Sequence, residues 1–141
     1  DTDRSRGLGD VYKRQLMEGL KEFYPVAYDR VCMHEFVLTL ENLKHEKGVS
    51  AMDVAKAMLD YGIHPPTMYF PLIVHEDLMF EPTETETKET LDEAIRVLGE
   101  IRQIAEKDAQ SLHEAPHRTI IGRVDEVRAA RQPVLKYAFN D

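Results

Sequence analysis

The chain has 141 residues, of which 43% are hydrophobic and 31% are charged, and its formal net charge at pH 7 is −8. This length suffices for one domain with a single core, and no internal repeat divides it. The negative charge disfavours nonspecific binding to nucleic acid or to an anionic membrane, and no apolar run approaches the roughly 18 residues of a membrane span. We therefore expect neither a nucleic-acid partner nor a membrane partner.

Cysteine usage narrows the possible chemistry. Cys32 is the single cysteine, which excludes an internal disulfide and any multi-cysteine metal site. Because it lies in an apolar run, we expect a small buried hydrophobic residue there and not a catalytic thiol. The first residues do not show the pattern of a secretory signal, so the reducing cytoplasm is the expected compartment.

The first part of the chain is expected to lie outside the domain. Residues 1–15 mix charges with two glycines and show no apolar periodicity, which indicates a disordered or foreign leader. Residues 16–141 are then expected to form one small C-terminal domain, whose apolar tail either docks on another surface or forms a C-terminal strand. A short amphipathic helix is predicted over residues 16–23, and Pro25 prevents its continuation.

Alternating apolar and polar residues predict a strand over residues 31–40. His34 shares a face of this strand with Phe36 and Leu38, and we expect it to be a satisfied, half-buried histidine. Its neighbour Glu35 points to the opposite face of a strand, so the two side chains are not expected to touch. Residues 42–48 are polar and are expected to form a turn.

Helix signals follow. Ser50 and Asp53 form a partial capping box at the start of a helix over about 51–61, which Gly62 ends. Thr83 and Glu86 repeat the capping-box pattern before a longer helix that extends to about residue 107. A last short helix is predicted within residues 120–131, where acidic residues come early and basic residues late.

The stretch over residues 62–86 carries the candidate functional residues. Two short strands, predicted at 67–73 and 77–80, form a hairpin there, and four prolines interrupt regular structure around them. Polar groups on such loops and strand ends are often functional. The candidates are His64, Thr67, Glu81, Thr83 and Glu84. The alternative is a proline-stiffened connector, in which Thr83 only caps a helix and Glu81 only supports a loop.

Common catalytic motifs are missing from the sequence. It contains no Walker A loop, no G-x-G-x-x-G, no H-E-x-x-H and no G-x-S-x-G. The six histidines are scattered, so we expect no metal site. The order of the predicted elements indicates an α+β fold, a two-layer small domain with a short, mostly antiparallel sheet and helices on one face.

Several segments together resemble the C-terminal domain of one enzyme family. They read M-H-E-F at 33–36, H-P-P-T at 64–67, E-P-T-E-T-E at 81–86 and DEVRAARQPVLKY at 125–137. In this combination they resemble the glycine cleavage system P-protein, a glycine dehydrogenase (aminomethyl-transferring). The last segment resembles the second subunit of its two-subunit form. One departure is Ile63, where the family usually has an aromatic residue.

The resemblance implies a pyridoxal phosphate (PLP) enzyme of the aspartate-aminotransferase fold, which decarboxylates glycine and passes the aminomethyl group to lipoyl H-protein. Its other implied partner is the first subunit of P-protein. The family's PLP lysine lies in an Asn-x-His-Lys context that this sequence lacks. The resemblance thus implies no catalytic residue in this chain, a cofactor bound mainly by a missing large domain, and an inactive fragment. The five candidates would face the cleft and position the substrate.

Two other functions fit the same residues. One is a stand-alone α+β module that binds a small ligand or dimerises. The other is the small domain of another PLP enzyme of this fold, such as an aminotransferase, in which Arg30 would bind the substrate carboxylate. A large exposed apolar surface would favour a fragment over a stand-alone module.

Overall fold

The computed structural model describes residues 2–30, 34–82 and 85–136, and it describes side chains from residue 11 onward. The described part contains helices and a three-stranded sheet, which confirms the predicted α+β class. In chain order the elements are α1 (Thr2–Leu20), β1 (Phe36–Thr39), α2 (Glu41–Lys47), α3 (Ala51–Asp60), β2 (Thr67–Met68), β3 (Asp77–Phe80), α4 (Lys88–Lys107), α5 (Ala109–Glu114) and α6 (Glu126–Arg131).

The sheet has the strand order β1-β3-β2, and both neighbouring pairs are antiparallel. Phe36 pairs with Phe80 and Thr67 pairs with Met79, which confirms the predicted hairpin of β2 and β3. Two strands are shorter than predicted, because β1 begins only at Phe36 and β2 ends at Met68. The expected burial of Cys32 falls outside the described residues.

The core lies between the sheet and the helices. The Phe36 and Phe80 rings stack with their centroids 5.3 Å apart and 8° between their planes. Side chains alternate along a strand, so these rings share their face with Leu38 and Leu78, which are fully buried. This face joins one hydrophobic core with buried helix residues, among them Leu16, Leu20, Val54, Met58, Leu98 and Ile101.

Two glycines let α1 and its following turn approach α4 closely. A Cβ atom at Gly19 would lie 2.5 Å from Cδ1 of Ile95, and one at Gly99 would lie 2.8 Å from Cζ of Phe23. The buried Tyr24 hydroxyl donates a hydrogen bond to the Leu98 carbonyl at 3.0 Å. Burial raises the pKa of Tyr24 well above its usual range, so the hydroxyl keeps its proton.

Helix α1 differs from our expectation for the N-terminal segment. Residues 2–20 form one helix, whereas we expected no regular structure before residue 16. Tyr12 packs against the core and Lys13 is 0% exposed, so packing begins upstream of Leu16. The spacing of Tyr12, Leu16 and Leu20 at four-residue intervals places them on one helix face, a signal that charge and glycine content obscured.

The other helices agree with the sequence in part. The α3 capping box of Ser50 and Asp53 is confirmed in both directions, and Gly62 follows with a φ of 75°. Residues 41–47 form α2, so the predicted polar turn at 42–48 is wrong. Thr87 caps α4 by accepting from the Thr90 N–H, so the helix start that Thr83 and Glu86 predict is too early. In the described part of the chain, no helix has both the length and the apolar character that a membrane crossing requires.

Candidate functional site

One end of the sheet gathers segments that are distant in sequence. Because both pairs of strands are antiparallel, β1 begins, β3 ends and β2 begins at this end. Glu81 follows the last residue of β3, and Thr67 is the first residue of β2. The pairing of Phe36 with Phe80 brings the residues just before β1 beside Glu81. We call this place, with His34, Glu35, Thr67 and Glu81, the sheet end.

Thr67 and Glu81 belong to the face of the sheet opposite the stacked rings. Thr67 is the cross-strand partner of Met79, and cross-strand partners share a face. Glu81 follows Met79 by two positions, so the alternation along an extended chain gives it the same side. Both side chains are exposed. Two sequence-predicted candidates thus lie at the same end of the sheet, on the side away from the Phe36 and Phe80 core.

His34 and Glu35 complete the sheet end. His34 Nε2 lies 3.6 Å from Glu35 Oε2, and the ligand-type atoms of His34, Glu35 and Glu81 all lie within 4.8 Å of one another. The His34 side chain is 63% exposed, so our expectation of a half-buried histidine is wrong. The expectation that it would not touch Glu35 is also wrong, because both residues precede β1 and strand alternation does not apply to them.

The other three candidates are not among the residues of the sheet end. His64 is exposed on the segment between α3 and β2, three positions before Thr67. Ile63 beside it is half-buried and packs against the core, so the aliphatic residue at this family position fits. Thr83 and Glu84 lie outside the described residues, and their assignment to the cleft stays a prediction.

The chemical groups at the sheet end do not fit the phosphate of PLP. Two carboxylates and an imidazole meet there, and the carboxylates would repel a phosphate. A histidine with two carboxylates can bind a divalent cation, but exposed acidic groups commonly lie this close without one. The arrangement is suited to accepting hydrogen bonds from cationic or neutral donors.

A buried carboxylate lies at the other end of β3. Asp77 is 0% exposed, and no hydrogen bond of good geometry to its carboxylate oxygens is found among the described residues. Burial raises the pKa of Asp77, although the nearby backbone N–H groups of Tyr69 and Phe70 act in the opposite direction. The loop before it is fixed by Glu76, whose carboxylate accepts from the Ala51 N–H at 2.8 Å.

Asp53 is a polar centre at the start of α3. Its Oδ2 accepts from the Ser50 N–H at 2.9 Å and the Ser50 hydroxyl at 2.6 Å, and lies 3.2 Å from His113 Nδ1. Its Oδ1 accepts from the Arg123 guanidinium at 2.8 Å. Burial alone would raise the pKa of Asp53, but the hydrogen bonds from Ser50 and Arg123 outweigh it and lower that pKa. Sequence analysis missed the contacts with His113 and Arg123, because these residues lie 60 and 70 positions away.

Comparison with known proteins identifies the family. A family model described as "Glycine dehydrogenase, C-terminal domain" matches residues 11–120, so the match begins inside the segment that we expected to be foreign. Curated relatives carry the name probable glycine dehydrogenase (decarboxylating) subunit 2. The relative from Treponema denticola is 56% identical over 133 residues, which are 94% of this chain and 28% of that protein.

Two further relatives with this name give the same result. The protein from Thermosipho melanesiensis is 51% identical over 126 residues, 89% of this chain and 26% of its own length. The protein from Caldanaerobacter subterraneus subsp. tengcongensis is 52% identical over 135 residues, 95% of this chain and 27% of its own length. The chain thus spans about a quarter of the length of these relatives. Since the family model matches well over half of the sequence, the chain belongs to the glycine dehydrogenase C-terminal domain family.

Proposed function

We propose that this chain is the C-terminal part of a glycine decarboxylase that depends on PLP and transfers the aminomethyl group of glycine to lipoyl H-protein. The observation that carries this proposal is the family match over residues 11–120, together with relatives named glycine dehydrogenase (decarboxylating) subunit 2. That name also supports a companion first subunit as a partner. We place the complete protein in the cytoplasm.

The cofactor belongs to the part of the complete protein that this chain does not include. PLP supplies an electron sink for decarboxylation when it is bound. The carboxylates of Glu35 and Glu81 do not fit its phosphate, so we assign phosphate binding elsewhere. On this division of roles the isolated chain has no activity of its own.

We assign the residues of the sheet end a role in positioning the substrate or a partner. Thr67 offers a hydroxyl and Glu81 a carboxylate on the sheet face away from the stacked rings, and His64 lies on the segment that leads to Thr67. These groups can hold a substrate ammonium or a lipoyl-bearing partner by hydrogen bonds at the mouth of a cleft. Their role is orientation, and no covalent step is assigned to them.

The exposed apolar side chains favour this reading over a stand-alone module. Phe70 is 56% exposed, Leu72 is 82% exposed and Ile120 is completely exposed. Apolar surface of this kind usually marks an interface. The aminotransferase alternative is weaker, because Arg30 lies over the Tyr28 ring, with its guanidinium carbon 5.8 Å from the ring centroid.

The proposal is tested in the full-length protein assembled with its companion subunit. Glu81→Gln, Thr67→Ala and His64→Ala should each lower kcat/KM for glycine decarboxylation about tenfold to a hundredfold, because misplaced substrate loses its alignment. Glu46→Gln and His45→Ala are the matched controls, since both residues are exposed on α2, and their kinetics should stay at the wild-type level.

Two results would contradict the proposal. Unchanged kinetics in all three variants would leave residues 62–86 as a stiff connector. A stoichiometric visible absorbance band from PLP bound to this chain alone, lost on substitution of one particular lysine, would require a different enzyme.

A further inference from the structure

We propose that this chain carries a binding site for a small carboxylic acid with a hydrocarbon body, in the cavity where α3, α4 and α5 meet. We call it the helix cavity. It is lined by the last turn of α3 and Tyr61, by Ile104 of α4, by Ser111 and Leu112 of α5, and by residues 115–118. None of these described residues belongs to the sheet end, so the inference is independent of the proposed function.

The floor of the helix cavity is apolar. Four aliphatic side chains line it, of which three are buried and one, Ile104, is half-buried. The buried ones are those of Ala57, Leu112 and Ala115. The cavity has a volume of about 250 Å³. Since an apolar cavity of about 150 Å³ holds a benzene molecule, this one has room for a hydrocarbon body of roughly six to eight carbons. Burial of such a body away from water favours binding.

The charged groups around the cavity favour an anion. The Asp60 carboxylate already accepts from the N–H groups of His117 and Arg118, at distances of 2.7 to 2.9 Å. The Arg118 guanidinium donates only to the main-chain carbonyl of Asp60, at 3.2 Å, and has no carboxylate partner among the described residues. Its remaining N–H groups are thus available, and a guanidinium can bind a carboxylate through two parallel hydrogen bonds.

The same imbalance of charge continues beside the cavity. A groove along α4 shares three lining residues with it, namely Tyr61, Ile104 and Ser111. Lys107 lines this groove and has no ion-pair partner in the described part of the chain. The two acidic residues of the groove are engaged, because Glu100 pairs with Arg96 and Asp108 accepts from the Ser111 N–H at 3.3 Å. The cations near the cavity therefore lack the acidic partners that an anionic ligand would supply.

Hydrogen bonds within the chain hold the wall formed by residues 115–118 in place. His117 Nε2 donates to the Ser111 carbonyl at 2.9 Å, which joins this wall to α5. Arg123 donates to the Ala115 carbonyl at 3.0 Å and to the Asp53 carboxylate at 2.8 Å, which joins it to α3. A site that is ordered before binding loses less entropy when the ligand enters.

Isothermal titration calorimetry of the full-length subunit with octanoate at pH 7 tests the inference. Octanoate supplies one carboxylate and a linear hydrocarbon chain, and one molecule should bind per subunit. Arg118→Gln should weaken this binding about tenfold to a hundredfold, because the charged hydrogen bonds to the carboxylate are lost. Arg131→Gln, at an exposed arginine of α6, is the matched control and should bind octanoate as the wild type does.

Two further measurements test the apolar floor and the sign of the charge. Ala57→Leu places a larger side chain in the cavity and should weaken octanoate binding about tenfold. If this variant does not unfold cooperatively, Arg118→Gln, at an exposed residue, still decides the question. Octylamine carries the same chain with the opposite charge, and it should bind the wild type about tenfold more weakly than octanoate.

Several outcomes would overturn the inference. Octanoate might not bind the subunit at all, or it could bind wild type, Arg118→Gln and Arg131→Gln with equal affinity, which would place it elsewhere. Unchanged affinity in a folded Ala57→Leu variant would exclude the apolar floor. Equal affinities for octylamine and octanoate would show that the cavity does not select an anion. Glycine decarboxylation by the wild-type enzyme is measured separately, and its absence would contradict the proposed function and not this site.

Discussion

Asp53→Ala should lower the stability of the domain, because this one substitution removes several contacts at once. Asp53 is 6% exposed and completes the capping box of α3. Its Oδ1 accepts a hydrogen bond from Arg123, which lies in the C-terminal segment after α5. Loss of the capping interactions should cost about 0.5–2 kcal/mol. Loss of the hydrogen bond to the guanidinium, whose side chain is 29% exposed, should add about 1–2 kcal/mol after solvent screening is allowed for. We expect a total loss of about 1.5–4 kcal/mol in the free energy of unfolding.

Urea unfolding followed by far-UV circular dichroism measures this loss, and a double-mutant cycle separates its parts. Arg123→Ala in the wild-type background should cost more than Arg123→Ala in the Asp53→Ala background, because the pair is already broken there. Asp92→Ala, at an exposed residue paired with Lys88 on α4, is the control and should cost less than about 0.5 kcal/mol. Equal losses of unfolding free energy on Arg123→Ala in both backgrounds would refute the idea that Asp53 anchors the C-terminal segment through Arg123.

Two further substitutions test the packing and the buried charge. Gly99→Ala should cost about 1–3 kcal/mol of stability in thermal unfolding, because the new Cβ atom would lie 2.8 Å from the Phe23 ring. Gly122→Ala is the control and should be nearly neutral, because its Cβ atom would meet nothing closer than 3.9 Å. Equal melting temperatures of the two variants would contradict the close approach of Gly99 to Phe23. Asp77→Asn should stabilise the protein at pH 7. The folded-state pKa of Asp77 is raised, so the wild-type protein loses the favourable contribution of the protonated carboxyl as the pH rises through that pKa. The gain should shrink toward pH 4 in pH-dependent urea titrations, and a gain independent of pH would show that the ionised carboxylate is not the cause.

The parts of the fold that the sequence predicted correctly are those set by local chemistry. A serine with an aspartate three positions later caps α3, and a glycine with positive φ follows its end, since each effect needs only neighbouring residues. The hairpin of β2 and β3 was also predictable from prolines and alternating residues, and its register is set by the pairing of Thr67 with Met79.

The predicted bounds of α1 and β1 were wrong because tertiary packing determines where these elements begin. Glycine and charge content argued against a helix before residue 16, but Gly19 allows close contact with Ile95, and the packing of α1 against the core sustains the helix. The predicted strand over 31–40 includes His34 and Glu35, yet pairing with β3 begins only at Phe36. No local pattern shows where a cross-strand partner ends, and for that reason His34 was not recognised as part of the sheet end.

Helix α3 connects the polar centre at Asp53 with the segment that leads to the sheet end. Its first turn holds Arg123 through Asp53, and its last residue, Asp60, precedes the segment that contains His64 and leads to Thr67 at the sheet end. A helix of 10 residues is about 15 Å long and transmits a displacement of one end to the other as a rigid body. A displacement at Asp53 is therefore expected to shift the segment that leads to Thr67.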